Sequence, residues 1–426
     1  MPDSKSSGGG HQEDYPLSAV PEDDRRGAAS LYVVLLGFTF FAATMWSGGE
    51  VGRAFRFFPD LLIIILAGNV LLGAYVAVLA HISARTGLNT VLLSRFAFGE
   101  RGSGLVDLLL GLTQVGWYAW GTGTVATVLL RLIGLDEPWL LYLFMIVFGA
   151  GFCWTAYIGY RGLEILSIIA VPLMLVLIFW SMFRAWIDVD GLAGLTAIEP
   201  GASMSVSNAI TIVFGTFASG GTQVTNWTRF ARTSRTAVLA ALSAFLLGNG
   251  LMVFVGALGA LVYDRADLVE VLVAQGLLLP GVAMLFLNIW TTQDNTIYNF
   301  SVAGSNLLRT GHRRLVTLGG AALGTVLAVL GMYDFLVPFL LLLGVLIPPV
   351  GAVIVADAWI NRRLQLPALA GASLPALSVP GLVAYAAGCL AALLSQYYAW
   401  GLPPLFGVGV ALFLHVLLSR AAAKAA

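Results

Sequence analysis

Lysine is almost missing from this chain of 426 residues. Of 22 basic side chains, 20 are arginine, and the two lysines, Lys5 and Lys424, sit in the extreme tails. That excludes a phosphate-binding P-loop lysine and a Schiff-base lysine from the body of the protein. Charge of either sign is scarce: 22 acidic residues balance the 22 basic ones and together make 10% of the chain, against roughly 25% in a soluble domain. No basic stripe for nucleic acid is present. The four histidines, His11, His81, His312 and His415, show no metal-ligand spacing. Cys153 and Cys389 are single residues in apolar runs, so inert packing is expected and no disulfide framework. An intramembrane hydrolase would need a His pair or a Ser–Lys dyad, and neither is seen. No enzyme is expected.

What is there is apolar. The 59% hydrophobic content leaves too little polar surface to cover a soluble core. At roughly 20 apolar residues per crossing it suits about ten to twelve helices. The expected class is an all-α polytopic membrane protein with about twelve transmembrane helices. They are placed near 30–50, 60–84, 104–133, 138–158, 162–186, 205–222, 236–263, 271–299, 315–331, 334–356, 376–397 and 402–420. Trp139, Trp186, Tyr397 and Trp400 fall near the ends of these segments, as an aromatic belt requires. Residues 1–28 are polar, with a Gly8-Gly9-Gly10 run, and read as a disordered cytoplasmic tail with no signal peptide. Residues 29–422 form the single transmembrane domain.

Charge also sets the expected orientation. With the N-terminus inside, only Arg53, Arg56, Arg131, Arg184 and Arg265 lie outside, leaving 17 (22 − 5) basic residues on the inner side. The positive-inside rule then places both termini in the cytoplasm. Asn226-Trp227-Thr228-Arg229-Phe230, with Arg232 and Arg235, reads as a solvated inner loop.

Two segments are poor spanning helices. The first carries Gly37, Thr39, Thr44, Ser47, Gly48 and Gly49, and the sixth runs Thr216-Phe217-Ala218-Ser219-Gly220-Gly221-Thr222-Gln223. Such residues suit unwound backbone, tolerated at membrane depth only where protein covers it or it lines a cavity. Interrupted segments at matching places in two halves point to an inverted-repeat transporter with a midplane site. In the eighth segment Asn288, Thr291, Thr292, Asn295 and Asn299 recur on one helical face, with Asp294 beside them. A cation or substrate site competes there with plain interhelical hydrogen bonding. In the third segment Gln114 and Trp117 share a face and suit a planar heterocycle, with Phe217 as a second slab. The competing reading is a packed Trp and a Gln bonded to a neighbouring helix. Asp294 is either a proton carrier or a hydrogen-bonded strut.

The stretches Gly37-Phe38-Thr39-Phe40-Phe41, Thr113-Gln114-Val115-Gly116-Trp117, Gln275-Gly276-Leu277-Leu278-Leu279-Pro280 and Leu287-Asn288-Ile289-Trp290-Thr291-Thr292 resemble the nucleobase:cation symporter-1 family, the purine and cytosine permeases, over residues 25–363. The resemblance implies a leucine-transporter-type 5+5 inverted repeat, with repeat one at 29–187, repeat two at 203–358 and two extra helices at 375–420. It implies a base stacked between Trp117 and Phe217, with its edge bound by Gln114, Ser219 and Asn288 and with Thr216 at the pocket. It also implies a sodium ion held by Gly37, Phe40, Asn288, Thr291 and Thr292. Thr216 stands where serine is expected, Gln293 where the motif has Asn, and Gln223-Val224-Thr225-Asn226-Trp227 departs from the family wording. The implied function is secondary-active import of cytosine coupled to sodium, with no enzymatic cofactor, in a bacterial inner membrane and as a monomer. Open alternatives are proton coupling, another base such as a hydroxymethylpyrimidine or purine, and a membrane sensor that binds without transporting. Nucleic acid is not an expected partner.

Overall fold

The computed structural model describes residues 15–135, 137–265 and 268–425. The chain is built from helices, which in order are α1 (Ala28–Thr39), α2 (Ala42–Gly52), α3 (Leu62–Thr86), α4 (Thr90–Phe98), α5 (Ser103–Ile133), α6 (Pro138–Gly151), α7 (Cys153–Ile158), α8 (Tyr160–Asp188), α9 (Leu192–Ala197), α10 (Val206–Gly215) and α11 (Ala218–Thr222). The second half continues with α12 (Thr225–Thr228), α13 (Ser234–Leu242), α14 (Asn249–Tyr263), α15 (Leu268–Ala274), α16 (Leu278–Leu307), α17 (Arg313–Val329), α18 (Leu336–Leu346), α19 (Pro348–Val355), α20 (Val379–Tyr397) and α21 (Pro403–Ala425).

Among the described residues, seven helical stretches are long and apolar enough to cross a membrane, and α1 with α2, bent by 53°, makes an eighth. The other four expected segments are helical too, but each falls short for a local reason. The helices α5 and α16 are 31 and 30 residues long but rich in Gln, Asn, Thr and Gly. α17 has 17 residues, and the sixth segment is broken into α10, α11 and α12. The long polar helices α5 and α16 pack against each other at the centre, where protein rather than lipid meets their side chains. The lipid-facing helices α6, α8 and α21 leave most of their apolar surface exposed.

The expected and observed boundaries of the eighth segment differ. A short helix, α15, ends at Ala274, Gly276 turns the chain at φ +80°, and α16 then runs to Leu307. Glycine takes that left-handed turn at no steric cost. At the far end α16 stays helical through Asn306 because its polar side chains are met inside the protein: Asn306 donates to Asp107 at 2.5 Å and accepts from Arg95 Nε at 2.9 Å.

The tail expectation is corrected in its described part. Residues 1–14 lie outside the described residues, but 15–27 form an ordered strap. Val20 is buried and its N–H bonds Gly87 O at 3.0 Å. Arg26 pairs with Glu164 at 3.1 Å and its backbone N–H reaches Phe230 O at 2.5 Å. Arg229 Nη1 donates to Tyr15 O at 2.7 Å. Anchored backbone of this kind has little freedom left.

Charges segregate to the two ends of the bundle. Every one of Arg53, Arg56, Arg131, Arg184 and Arg265 meets a carboxylate, at 2.5 to 3.2 Å. At the opposite end Arg85, Arg161, Arg235 and Arg363 make no ion pair among the described residues. Trp139, Trp186, Tyr397 and Trp400 are all exposed, as an aromatic belt requires.

Candidate substrate and cation site

The first helix stops because its end gives the backbone alternatives. Thr39 turns its hydroxyl back onto Leu35 O and Leu36 O at 3.2 and 3.3 Å, and Phe40 N is the last amide to bond back, to Leu36 O at 3.0 Å. Phe40 (φ −78°, ψ 82°) and Phe41 (φ −125°, ψ 130°) are then non-helical before α2 begins. The last three carbonyls of α1, Gly37 to Thr39, and that of the following Phe40 are left without intrahelical partners. Gly37 lies where a Cβ would meet the Ser167 hydroxyl of α8 at 2.4 Å, so glycine permits the close seating of α1.

The sixth segment breaks at the same depth. α10 ends at Gly215, Phe217 leaves helical geometry (φ −129°, ψ 23°), and α11 restarts at Ala218. A side chain at Gly220 would strike the Phe38 ring at 2.7 Å, so the glycine is what lets the two breaks touch. Phe38 and Phe217 meet edge to face with centroids 5.1 Å apart.

Around these breaks lies a small cavity lined by Phe38, Phe41, Gln114, Trp117, Thr216, Phe217, Gly220, Thr292 and Thr296. It holds about 210 Å³ of unfilled space, of which about 10 Å³ can take the centre of a water molecule. That is room for one water and not for a flat ring.

Five of the expected site residues, Gln114, Trp117, Thr216, Phe217 and Thr292, therefore share one cavity wall. Ser219 stands directly behind it, accepting from Gln114 Nε2 at 2.7 Å and touching Thr113 Oγ1 at 2.7 Å. This leaves Gln114 Oε1 buried with no partner. Asn288, one turn before Thr292, is 1% exposed, and neither its Oδ1 nor its Nδ2 has a partner. Thr292 Oγ1 lies 3.4 Å from Phe40 O and donates to Asn288 O at 3.1 Å. The hydroxyl of Thr291 bonds its own turn, Leu287 O at 2.9 Å and Asn288 O at 3.1 Å. Thr216 turns its hydroxyl away, to Val213 O at 2.7 Å and to Asn249, whose Nδ2 donates to it at 3.0 Å.

The polar face read along the eighth segment divides. Asn295 accepts from Trp227 Nε1 at 2.9 Å and donates to Thr291 O at 2.7 Å, and Asn299 accepts from Asn226 at 2.7 Å. Asn295 belongs to helix packing, and so does the Asn299 oxygen, while Asn299 Nδ2 has no partner. The 226–230 stretch is correspondingly buried rather than solvated, with Trp227 and Arg229 at 0% exposure, although Arg232 and Arg235 remain exposed. Asp294 accepts from Thr155 Oγ1 at 2.9 Å and Asn295 Nδ2 at 3.0 Å. Trp290 Nε1 donates to the same Thr155 hydroxyl at 3.2 Å, which commits the Thr155 proton to Asp294. Asp294 is a hydrogen-bonded strut in this arrangement.

Four cavity or support residues escape the spacing argument. Phe38 and Phe41 flank the first break, Thr296 lies one turn beyond Thr292, and Asn249 holds Thr216 while donating to Asn69 Oδ1 at 2.9 Å. A single asparagine within each of two apolar runs, at 69 and 249, was the available signal. Among the described residues no cluster of His, Cys, Asp or Glu can hold a metal ion. A cation here would be held by neutral oxygens.

The arrangement matches known proteins along most of its length. The family model for permeases for cytosine/purines, uracil, thiamine and allantoin matches residues 19–410. Cytosine permease of Escherichia coli (strain K12) is 41% identical over 352 residues, covering 82% of each chain. Mhp1, a nucleobase-cation-symport-1 family transporter, in its closed conformation with bromovinylhydantoin bound, superposes with a TM-score of 0.83 at 18% identity, over 96% of this chain and 95% of that one. The inward-facing conformation of Mhp1 gives 0.79 at 19% identity, over 96% and 94%. A Na+-coupled sialic acid symporter gives 0.68 at 11% identity, over 93% and 90%. The expected leucine-transporter-type fold is thus the fold observed, and its relatives are transporters rather than enzymes. With a family model spanning nearly the whole membrane portion and a curated relative at 41% identity, this chain belongs to the permease family for cytosine/purines, uracil, thiamine and allantoin.

Proposed function

We propose that this permease is a secondary-active importer that carries cytosine together with sodium by alternating access. The observation that carries the reading is a pair of buried carboxamides with spare capacity: Gln114, whose Oε1 has no partner and which lines the cavity with Trp117 and Phe217, and Asn288, both of whose polar atoms lack one, a turn before the cavity residue Thr292. A base offers flat faces for the rings and a donor–acceptor edge for the amides. Ser219 takes the Gln114 Nε2 hydrogen bond, which leaves the carbonyl oxygen to accept from the amino group of a base. The kinship to E. coli cytosine permease supports cytosine as the base.

Sodium is proposed to sit where the released carbonyls of Gly37 and Phe40 approach Thr291, Thr292 and Asn288, since hard cations take oxygen ligands. The one carboxyl of mid-α16, Asp294, is tied to Thr155 and Asn295. It lies about 200° around the helix from Thr292, which disfavours it as a proton carrier for this site. Alternating access would rock α1–α3 and α10–α14 against the remaining helices. A membrane potential supplies roughly 2.3 kcal/mol per charge per 100 mV, so one co-transported cation supports about fiftyfold accumulation at roughly 1.4 kcal/mol per tenfold. The end with unpaired arginines is proposed to face the cytoplasm, with both termini, in a bacterial inner membrane, and the protein to work as a monomer.

The test is uptake of labelled cytosine into proteoliposomes, with and without a sodium gradient at fixed pH, against a panel of other bases. A full rate in sodium-free buffer breaks the sodium coupling. Accumulation of another base with no cytosine uptake reassigns the substrate.

A further inference from the structure

The ring that fills the candidate base slot belongs to the protein. Among the ring contacts of the described residues, Trp117 and Phe217 are not paired with each other; Phe41 is in contact with both. Its centroid lies 5.3 Å from Trp117 and 6.3 Å from Phe217, and a third ring, Trp120, closes on it at 5.4 Å. All three contacts are edge-to-face, with interplanar angles of 74°, 67° and 87°. Phe41 is 2% exposed. A base entering the slot must displace this ring, because the cavity has room for about one water.

The neighbouring residue faces the other ligand. Phe40 turns its carbonyl oxygen toward Thr292 Oγ1 at 3.4 Å, at the candidate cation position. The C=O of Phe40 and the N–H of Phe41 belong to one peptide unit, which is planar and rigid. Boxed in by three aromatic rings, Phe41 has little freedom to swing about its side-chain bonds alone. To leave the slot it must move with its backbone, and that motion turns the plane carrying the Phe40 oxygen. The joint can turn: α1 and α2 meet there at 53°, both residues are non-helical, and Phe41 O serves in starting α2, accepting from Thr44 N at 3.1 Å and Met45 N at 3.3 Å.

We infer that Phe41 is the coupling element between the two cargoes: withdrawal of its ring from the Trp117–Phe217 slot and presentation of the Phe40 carbonyl to the cation are one movement. The inference rests on the sodium-and-base reading above and deepens it. Each ligand then binds more tightly when the other is present, by the same factor. Phe41 is a positioning residue in this scheme, since the base takes the place of its ring and the cation meets its neighbour's oxygen.

The experiment measures the dissociation constant of cytosine on purified full-length protein in detergent, in sodium-free buffer and at saturating sodium, for the wild type, Phe41→Ala and Phe41→Leu. The wild type is expected to bind about tenfold or more tightly with sodium. Phe41→Ala vacates the slot, so its sodium-free affinity should rise toward the sodium-bound value of the wild type, and its ratio should fall below about threefold. Phe41→Leu keeps an apolar plug of smaller reach and should fall between the two. It also serves if the alanine variant does not fold. A role in packing alone would weaken binding in both buffers and leave the ratio intact, and that result, or an undiminished ratio in either folded variant, overturns the coupling role. A wild type whose cytosine affinity ignores sodium breaks the sodium reading itself.

Discussion

Asn288 and Asn295 lie seven residues apart on the same helix, both essentially unexposed, and their circumstances are opposite. Asn295 has its oxygen met by the Trp227 indole and its amide spent on Thr291 O and Asp294. Asn288 has neither atom met. A buried polar group without a partner costs about 1–3 kcal/mol, and no water in the bilayer core relieves it. The bonding of Asn295 is complete, as is that of Asn306 a further three turns on, whereas Asn288 and the Gln114 oxygen are left open, which is the basis for proposing them as ligand-binding groups. Polarity in a membrane helix therefore marks two different things, and the discriminator is whether the protein itself supplies the partner.

The contrast suggests where it can be broken. The largest effect is expected at the rings that flank the open half: Trp117→Ala and Phe217→Ala should each lower cytosine affinity at least about a hundredfold, since stacking is worth roughly 1–3 kcal/mol per ring and the slot also loses its walls. The variants should still insert and purify as folded protein. Normal binding by both would remove the sandwich.

Next comes the asparagine pair itself. Asn288→Ala should cost about 10–100-fold in cytosine affinity, the worth of one or two hydrogen bonds, while the melting temperature of the ligand-free protein stays level or rises. Asn295→Ala should do the reverse. It strands the Trp227 N–H and lowers stability by about 1–2 kcal/mol, with cytosine affinity of the folded fraction changed less than about threefold. If both asparagines move the same observable, the division of α16 into open and closed halves is wrong.

A smaller effect sharpens the boundary between the halves. Thr292→Ala removes the hydroxyl 3.4 Å from Phe40 O and should raise the sodium concentration for half-maximal uptake about tenfold, with base affinity at saturating sodium little changed. An unaltered sodium response would strike Thr292 from the cation site. The smallest shift is expected for Thr216→Ser. Its hydroxyl points to Val213 O and Asn249 and is kept, so only a methyl group is lost and cytosine affinity should change less than about threefold. A larger change would show that the cavity senses the shape of the base through that methyl group.

Much of this was legible in the residue order. The third segment, expected at 104–133, is observed at 103–133, flanked by Gly102 and Gly134. The two breaks are readable from Gly37 and Thr39 in the first segment and from the Thr216–Gln223 run in the sixth, since such side chains suit unwound backbone covered by protein. The loop after the sixth segment reads as solvated and is buried, for an equally physical reason. Trp227 and Arg229 look solvated until Asn295, Asn226 and the Tyr15 strap come to meet them. The strap itself, polar and glycine-bounded, carries no periodicity that would announce its docking. Phe41 sat in view inside the Gly37–Phe41 motif, but nothing in a one-dimensional pattern distinguishes a ring that packs from a ring that plugs.

The residue order by itself determined that this is a membrane transporter with two interrupted helices, a charge-poor interior and an excess of arginine at one end. Those are properties of composition and local spacing, and the bilayer enforces them segment by segment. Only the tertiary structure decided which polar groups find partners, and that Phe41 contacts both Trp117 and Phe217. Helical periodicity gives the direction in which a side chain leaves its helix, but a hydrogen bond or a ring contact depends on what the neighbouring helix brings to that spot.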